Sequence, residues 1–278
     1  MLKITPEEAT QISQYIYGIS GISLDATKKY LLETRLNGLL EEYKCDSYLD
    51  LYRKAKTEPG KKLERKIIDA ISTNETLFFR DTSPFEMLRH KILPDLIDTR
   101  SQNKTLGKTP LRIWSAACST GQEIYSVAIV LQELLRDLSK YSIKLIGTDI
   151  SDAAIAQASV GKYNKFEIER GLAKDKLNKY FTPTGTYWKI KDEIRAMVNF
   201  RKINLMQPFT GVGKYDIILC RNVAIYFTLE DRKKLFNKLA QALEPDGYLI
   251  IGSTESLTGI SQRFVPKRHL RSIFYQLK

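Results

Sequence analysis

The amino-acid sequence predicts an α/β protein with a doubly wound, mostly parallel sheet, an all-helical N-terminal domain and a small antiparallel β insertion. Apolar residues recur three and four positions apart through the first 75 or so residues, which is helical spacing. From Leu111, short apolar runs alternate with longer helical patterns, as is typical of a parallel sheet. We therefore expect a helical domain over 1–80, a helix and linker over 81–110, and the sheet domain over 111–278.

The first helix has a clear start signal. Thr5 precedes a proline at the first helical position, and Glu8 stands where a capping box places its glutamate. Apolar spacing predicts three more helices over 28–43, 47–56 and 61–72. A second capping pattern begins at Ser83 and predicts a helix to about residue 97, followed by a polar linker over 99–110.

The sheet domain is predicted from four short apolar strands separated by helices. The strands are expected at 111–114, 143–148, 215–220 and 248–252, and the helices at 122–138, 153–159 and 229–243. Between the second and third strands lies a segment of about 160–203 with a Thr-Pro-Thr-Gly turn and strand-like alternation at 187–191 and 197–202. We predict that this segment forms the antiparallel insertion.

The composition excludes several classes of protein. The longest uncharged stretch, 9–24, includes polar residues and is too short to span a membrane, and the N-terminus shows no secretory signal pattern. Three widely spaced cysteines and two remote histidines predict neither a disulfide framework nor a metal site. We therefore expect a cytoplasmic protein that is not inserted in a membrane, binds no metal and needs to be no more than a monomer.

The positive charge is concentrated in one segment. The chain has 44 Lys and Arg against 32 Asp and Glu, a balance of +12, and 160–203 alone holds 11 basic and 5 acidic residues, a balance of +6. Such a patch favours an anionic partner, which can be a nucleic acid, a membrane surface or an acidic protein, although a solvated lysine-rich face is an equally good interpretation.

The spacing of one loop and one acid indicates a ligand site. In open α/β sheets, ligands bind beyond the carboxyl ends of the strands, and an acid that ends the second strand holds a ribose. The loop 116–121 follows the first strand and Asp149 ends the second, although an Asp there is also a good helix cap. The loop has too few glycines to hold a pyrophosphate. We therefore expect a ligand with adenosine and no phosphates, such as S-adenosylmethionine (SAM).

Five ordered motifs carry a family resemblance. They are Asn-Glu-Thr-Leu-Phe-Phe-Arg at 74–80, Cys-Ser-Thr-Gly-Gln-Glu-Ile-Tyr-Ser at 118–126, Gly-Thr-Asp-Ile at 147–150, Asn-Leu at 204–205 and Cys-Arg-Asn-Val-Ala-Ile-Tyr-Phe at 220–227. Together they resemble the CheR family of chemotaxis protein methyltransferases over nearly the whole chain. Gln122 and Ile124 depart from the family's second motif, which has Glu and Pro there, but Glu123 is retained.

The resemblance implies a SAM-dependent methyltransferase domain with a Rossmann-like sheet, and it implies site residues. The residues expected to bind SAM, and its product S-adenosylhomocysteine (SAH), are Asn74, Thr76, Arg80, Glu123, Asp149, Asn204, Leu205, Arg221 and Asn222. Arg80 and Tyr226 are also expected to act in catalysis. Asp149 would accept hydrogen bonds from the ribose, Asn204 would contact the adenine edge, and Glu123 would hold the amino group of the methionine part.

The resemblance further implies that the methyl group is transferred to the side-chain carboxylate of glutamates on the cytoplasmic helical domain of chemoreceptors, giving γ-methyl esters. Two alternatives stay open. A nucleic-acid methyltransferase would fit the positive charge, although the chain lacks a Pro-Pro-aromatic motif and we expect no nucleic-acid partner. The other alternative is a non-catalytic, SAM-responsive adaptor that binds receptors through the basic insertion.

Overall fold

The computed structural model describes residues 2–25, 28–102 and 107–278, without the side chain of residue 102. The helices are α1 (Pro6–Ser20), α2 (Lys29–Glu42), α3 (Tyr48–Thr57), α4 (Lys62–Ile71), α5 (Ser83–Met87), α6 (Leu93–Gln102), α7 (Gln122–Leu134), α8 (Asp152–Val160), α9 (Lys165–Glu169), α10 (Lys174–Tyr180), α11 (Asp192–Arg195) and α12 (Leu229–Ala242). The strands are β1 (Thr109–Ala116), β2 (Tyr141–Asp149), β3 (Lys162–Asn164), β4 (Phe181–Thr184), β5 (Tyr187–Ile190), β6 (Val198–Lys202), β7 (Tyr215–Cys220), β8 (Leu243–Ile251), β9 (Phe264–His269) and β10 (Ser272–Leu277).

The N-terminal helices α1 to α4 pack around their own core. The predicted capping box is confirmed: the Thr5 hydroxyl accepts from the Glu8 amide at 3.2 Å, and the Glu8 carboxylate accepts from the Thr5 amide at 3.0 Å. The apolar face of each helix turns inward and buries residues such as Ile16, Leu36 and Leu51. Burial of these faces is the main stabilising contribution to the helical domain.

The main sheet has seven strands in the order β6-β2-β1-β7-β8-β10-β9. The first five are parallel, and β10 pairs antiparallel with both β8 and β9. One apolar core includes Ile124 of α7 and a second includes Leu235 of α12, so the sheet is covered on both faces. Every residue of β7 is buried, as expected for a central parallel strand. The predicted doubly wound architecture is confirmed.

The small antiparallel sheet is confirmed, but it is shorter than predicted. It contains β3, β5 and β4 in that order, between residues 162 and 190. The segment predicted as its last strand, 197–202, instead forms β6 and pairs in parallel with β2 at the edge of the main sheet. Alternating apolar residues suit either kind of strand, so the sequence pattern could not identify the pairing partner.

The predicted helix that begins at Ser83 extends further than 97. A π-helical segment, Leu88–Ile92, joins α5 to α6, which ends at Gln102. Residues 103–106 of the predicted linker lie outside the described residues. The C-terminal hairpin of β9 and β10 had no counterpart among the predicted elements. Among the described helices, none combines the length and the apolar character that crossing a bilayer requires.

Hydrogen bonds hold the helical domain against one end of the sheet domain. Asp69 of α4 accepts from the Ser151 hydroxyl at 2.7 Å, and Tyr17 of α1 donates to Asp231 of α12 at 2.6 Å. The Ser23 amide donates to the carbonyl of Tyr226 at 2.9 Å. These contacts place the ends of α1 and α4 over the carboxyl ends of the parallel strands.

Candidate functional site

A cleft of about 890 Å³, including its open mouth, lies between the two domains at the carboxyl ends of β1, β2 and β7. The helical domain contributes Ser20 at the end of α1, Ile22 after it, and Ser72 after α4. All residues that the sequence predicts for cofactor binding or catalysis line this cleft: Asn74, Thr76, Arg80, Glu123, Asp149, Asn204, Leu205, Arg221, Asn222 and Tyr226. Five motifs that are separated in sequence therefore meet at one place.

Asp149 ends β2 and lies 7% exposed at the floor of the cleft. Its two carboxylate oxygens accept from the backbone amides of Ser119 at 2.8 Å and Ser151 at 3.0 Å. Burial raises the pKa of Asp149, and the backbone hydrogen bonds oppose that rise without cancelling it. A carboxylate has about four lone-pair directions, so these backbone contacts leave acceptor capacity for hydroxyl donors such as those of a ribose.

Glu123, in the first turn of α7, is buried in a network that faces the cleft. One oxygen accepts from the Ser115 hydroxyl at 2.7 Å and the other from Arg221 at 2.8 Å. The acidic side chain at the start of a helix also suits the helix dipole. Glu123 therefore presents a fixed negative charge that can receive a cationic amino group.

Arg221 ties three segments together. Its side chain is 1% exposed and donates to Glu123, to the carbonyl of Arg80 at 2.9 Å and to the Asp81 carboxylate at 2.8 Å. These contacts fix the Arg221 side chain within the cleft wall. The sequence singled out neither Asp81 nor Ser115, because their contacts with Arg221 and Glu123 form only in the folded chain.

Asn204 is also engaged with the protein. Its side-chain amide donates to the carbonyl of Ile19 at 3.0 Å, and its side-chain oxygen accepts from the Met206 amide at 2.9 Å. The half-buried ammonium of Lys238 donates to the carbonyls of Leu205 and Gln207, the latter at 2.9 Å. The loop that carries Asn204 and Leu205 is thus fixed to both α1 and α12.

The segment 74–82 forms the wall that carries Arg80. One guanidinium nitrogen of Arg80 donates to the carbonyl of Glu75 at 2.8 Å. Phe79, Asp81 and Thr82 have φ values of +52°, +65° and +36°, which L residues rarely adopt. Backbone strain of this kind persists only where the surrounding structure enforces it, and it is concentrated at functional sites.

The position of this wall is set by Arg35 of α2, which belongs to none of the five motifs. Its guanidinium donates to the carbonyls of Ile71 at 2.9 Å and Ser72 at 2.7 Å, at the end of α4. A cation that binds the last carbonyls of a helix also suits the helix dipole. Arg35 therefore fixes the direction in which the chain leaves α4 and enters the cleft.

The two histidines lie on other parts of the molecule. His90 is exposed in the π-helical segment, 3.1 Å from Glu86, and His269 ends β9. The residues that face the cleft instead offer three carboxylates, two guanidiniums, a phenol and several amides. This set of donors and acceptors fits a ligand that carries hydroxyl groups, an amino group and an adenine ring.

Comparison with known families agrees with this geometry. The family model described as "CheR methyltransferase, all-alpha domain" matches residues 7–72, and the model described as "CheR methyltransferase, SAM binding domain" matches residues 74–271. The second match includes most of the cleft residues and the segment 81–110. It identifies SAM as the cofactor.

Curated relatives match along nearly the whole chain. The chain is 38% identical to a chemotaxis protein methyltransferase of Vibrio parahaemolyticus, covering 100% of this chain and 99% of that one. It is 36% identical to the chemotaxis protein methyltransferase Cher2 of Pseudomonas putida, covering 96% and 97%, and 34% identical to a relative from Borreliella burgdorferi, covering 93% and 91%. With both family models matched in order and the cleft built from the five motifs, the chain belongs to the CheR family of SAM-dependent chemotaxis protein methyltransferases.

Proposed function

We propose that this protein transfers the methyl group of SAM to the side-chain carboxylate of specific glutamates on chemoreceptors, forming γ-methyl esters. The observation that carries this proposal is the presence of Arg80 and Tyr226 in the same cleft as Asp149 and Glu123. The cofactor-binding residues would thus lie beside a guanidinium that can bind a carboxylate.

Bound SAM supplies an electrophilic methyl group on a sulfonium centre. A glutamate with an ordinary pKa of about 4.3 is already an anion at neutral pH, so no general base is needed to activate it. One carboxylate oxygen would form the new bond to carbon as the sulfur–carbon bond of SAM broke, with SAH as the leaving group. The protein has to hold the carboxylate in line and exclude water, which are the tasks we assign to Arg80 and Tyr226.

The proposed cofactor contacts are those that the sequence resemblance implies, and the geometry of the cleft supports them. Asp149 would accept hydrogen bonds from the ribose hydroxyls, and Glu123 would bind the amino group of the methionine part. Because the amide of Asn204 already contacts Ile19 and Met206, its contact with adenine would be an additional bond to an amide oriented by those partners. Leu205 would provide an apolar contact beside it.

We further propose that the partner is the cytoplasmic helical domain of a chemoreceptor and that the protein acts as a cytoplasmic monomer. The curated relatives are named for chemotaxis protein methylation, and the basic surface of this chain suits a partner that presents carboxylates.

Radiolabelled SAM tests the proposal directly. The protein is incubated with receptor-containing membranes or with RNA, and label is measured in the protein and in the RNA before and after mild base. We expect label in receptor protein that base releases as methanol. Base-stable label in RNA would support a nucleic-acid methyltransferase, and no transfer to either, with SAM still bound, would support a SAM-responsive adaptor.

A further inference from the structure

The turn after β8 is hydrogen-bonded to the loop after β7 through Glu255. One carboxylate oxygen, Oε2, accepts from the backbone amide of Asn222 at 2.8 Å and from that of Gly252 at 2.7 Å. Glu255 is 33 residues from Asn222 in sequence and does not line the cleft itself. The function proposed above assigns it no role.

Asn222 has a backbone conformation that needs such support. Its φ of +57° is in the left-handed region, which asparagine enters more readily than most residues but still at some cost. The hydrogen bond from its amide to Glu255 fixes the peptide orientation that this conformation requires. Asn222 lines the cleft, so its side-chain direction depends on that orientation.

Close packing at Gly252 supports the same arrangement. A Cβ atom at position 252 would lie 2.6 Å from Oε2 of Glu255 and 2.8 Å from Nδ2 of Asn222. Both distances are shorter than van der Waals contact, so a side chain at position 252 would displace the Glu255 carboxylate or the Asn222 amide. The loop after β7 is therefore held by the Glu255 carboxylate, and the absence of a side chain at Gly252 leaves room for that contact.

We propose that Glu255 is a positioning residue for the cofactor site: it holds Asn222 in the left-handed conformation and so orients the Arg221–Asn222 pair toward the cleft. The proposal rests on the placement of SAM in this cleft. Because a single oxygen accepts both amides, while Oε1 is buried and meets no hydrogen-bond donor within the described part of the chain, the carbonyl of a glutamine should serve equally well.

The test is calorimetric titration of the full-length protein with SAH. We expect Glu255→Ala to raise the Kd about tenfold, the scale of a lost charge-assisted hydrogen bond, and Glu255→Gln to stay within about threefold of the unsubstituted protein. Glu255→Asp, which is too short to reach both amides, should bind weakly and serves if the alanine variant does not fold. Glu244→Ala is the matched control, because Glu244 lies at the other end of β8 and contacts Arg112 at 2.8 Å.

The outcomes separate this proposal from the function on which it rests. If Asp149→Ala binds SAH normally, the cofactor is not in this cleft and the proposed function fails with it. If Asp149→Ala binds weakly while Glu255→Ala and Glu255→Asp bind normally, only the role of Glu255 is rejected. Equal losses in Glu255→Gln and Glu255→Ala would show that the charge matters rather than the single acceptor, and equal losses in Glu244→Ala would reduce the effect to general destabilisation. Either result overturns the proposal.

Discussion

Asp149 is the residue at which the placement of the cofactor is most directly testable. Replacing it with alanine removes a charged acceptor from a buried site, so we expect SAH affinity to fall at least roughly tenfold, as for a loss of about 1.5–3 kcal/mol. Titration calorimetry on a variant with a normal unfolding curve measures this. Because burial raises the pKa of Asp149, affinity in the unsubstituted protein should also begin to decline, as pH is lowered, above the ordinary carboxyl value of about 3.9. Unchanged binding by the variant would reject the ribose assignment.

The catalytic assignment predicts two classes of single-residue variant. His90→Gln and His269→Gln should retain turnover, because neither side chain lines the cleft. Arg80→Ala and Tyr226→Phe should lower kcat at saturating SAM, where a loss of cofactor affinity no longer limits the rate.

The pH dependence of the same reaction tests whether a protein base takes part. Without a protein base, the rate should rise only as the substrate glutamate ionises, near pH 4.3, and stay level through neutrality. A limb near pH 6.5 that disappears in a histidine variant would reject the base-free mechanism.

At the scale of elements, α3, α4 and the residue that precedes α4 carry a basic cluster that can steer an acidic receptor. Its members are Arg53, Lys54, Lys56, Lys61, Lys62, Arg65 and Lys66. Lys54, Lys61 and Lys66 form ion pairs with carboxylates on the helical domain itself, whereas Arg53 and Lys62 are exposed and best placed to meet a partner. The structure thus favours Arg53 and Lys62 as the members of this cluster that contact a receptor.

We expect Arg53→Glu combined with Lys62→Glu to raise the apparent KM for receptor and to flatten its dependence on salt, while SAH affinity stays constant. The reason is that electrostatic attraction between exposed charges accelerates encounter and is screened by ions. Steady-state kinetics at several ionic strengths measure the effect. Lys267→Glu combined with Arg271→Glu on the C-terminal hairpin is the matched control for charge. Equal effects of the two pairs would assign the change to net charge and leave the cluster a solvated face.

A second group of elements is joined by the buried carboxylate of Asp216 on β7. It accepts from Arg100 of α6 at 2.8 Å and from the Arg112 side chain of β1 at 2.9 Å, and Arg112 also contacts Glu244 of β8. Burial alone would raise the pKa of Asp216, but the hydrogen bonds from the two arginines outweigh it and the pKa is lowered. The ionised form therefore stabilises the fold.

We expect Asp216→Asn to reduce the free energy of unfolding at neutral pH by roughly 3 kcal/mol, because it removes the buried carboxylate that Arg100 and Arg112 share. A carboxyl whose pKa is depressed by folding contributes stability above its unfolded value of about 3.9, and that contribution is lost as pH falls through the native pKa. The difference between the two proteins in urea unfolding should therefore shrink below about pH 3.9. Asp246→Asn, at the exposed partner of Arg100, should cost less than about 1 kcal/mol.

At the scale of the whole molecule, the sequence predicts structure best where burial is uniform. The bounds of β7 are as predicted, because its short apolar run is flanked by Lys214 and Arg221 and all six residues are buried. The strand at 198–202 was detected but assigned to the wrong sheet, because periodicity indicates a strand and not its neighbour. The hairpin of β9 and β10 was missed, since β9 is an edge strand with four consecutive exposed residues and shows no alternation.

The same distinction applies to the cleft. Its motif residues could be named from the sequence because each motif is local, and their individual roles stay predictions. Asp81 and Glu255 could not be named, because their contacts span 140 and 33 positions and depend on how loops from separate strands meet. Arg35 could not be named for a similar reason, since it donates to the carbonyl of Ile71, which ends α4 and is 36 residues away in sequence.

The cleft is bordered by both domains, with Ser20, Ile22 and Ser72 on one side and Asp149 and Arg221 on the other. A molecule bound there would contact both domains at once. Its binding would therefore also stabilise the contact between the two domains. By mass action, a ligand at a hundred times its Kd stabilises the native state by about 2.7 kcal/mol. If SAM binds in this cleft as proposed, the concentration of free cofactor would therefore also affect how tightly the helical domain is held against the sheet domain.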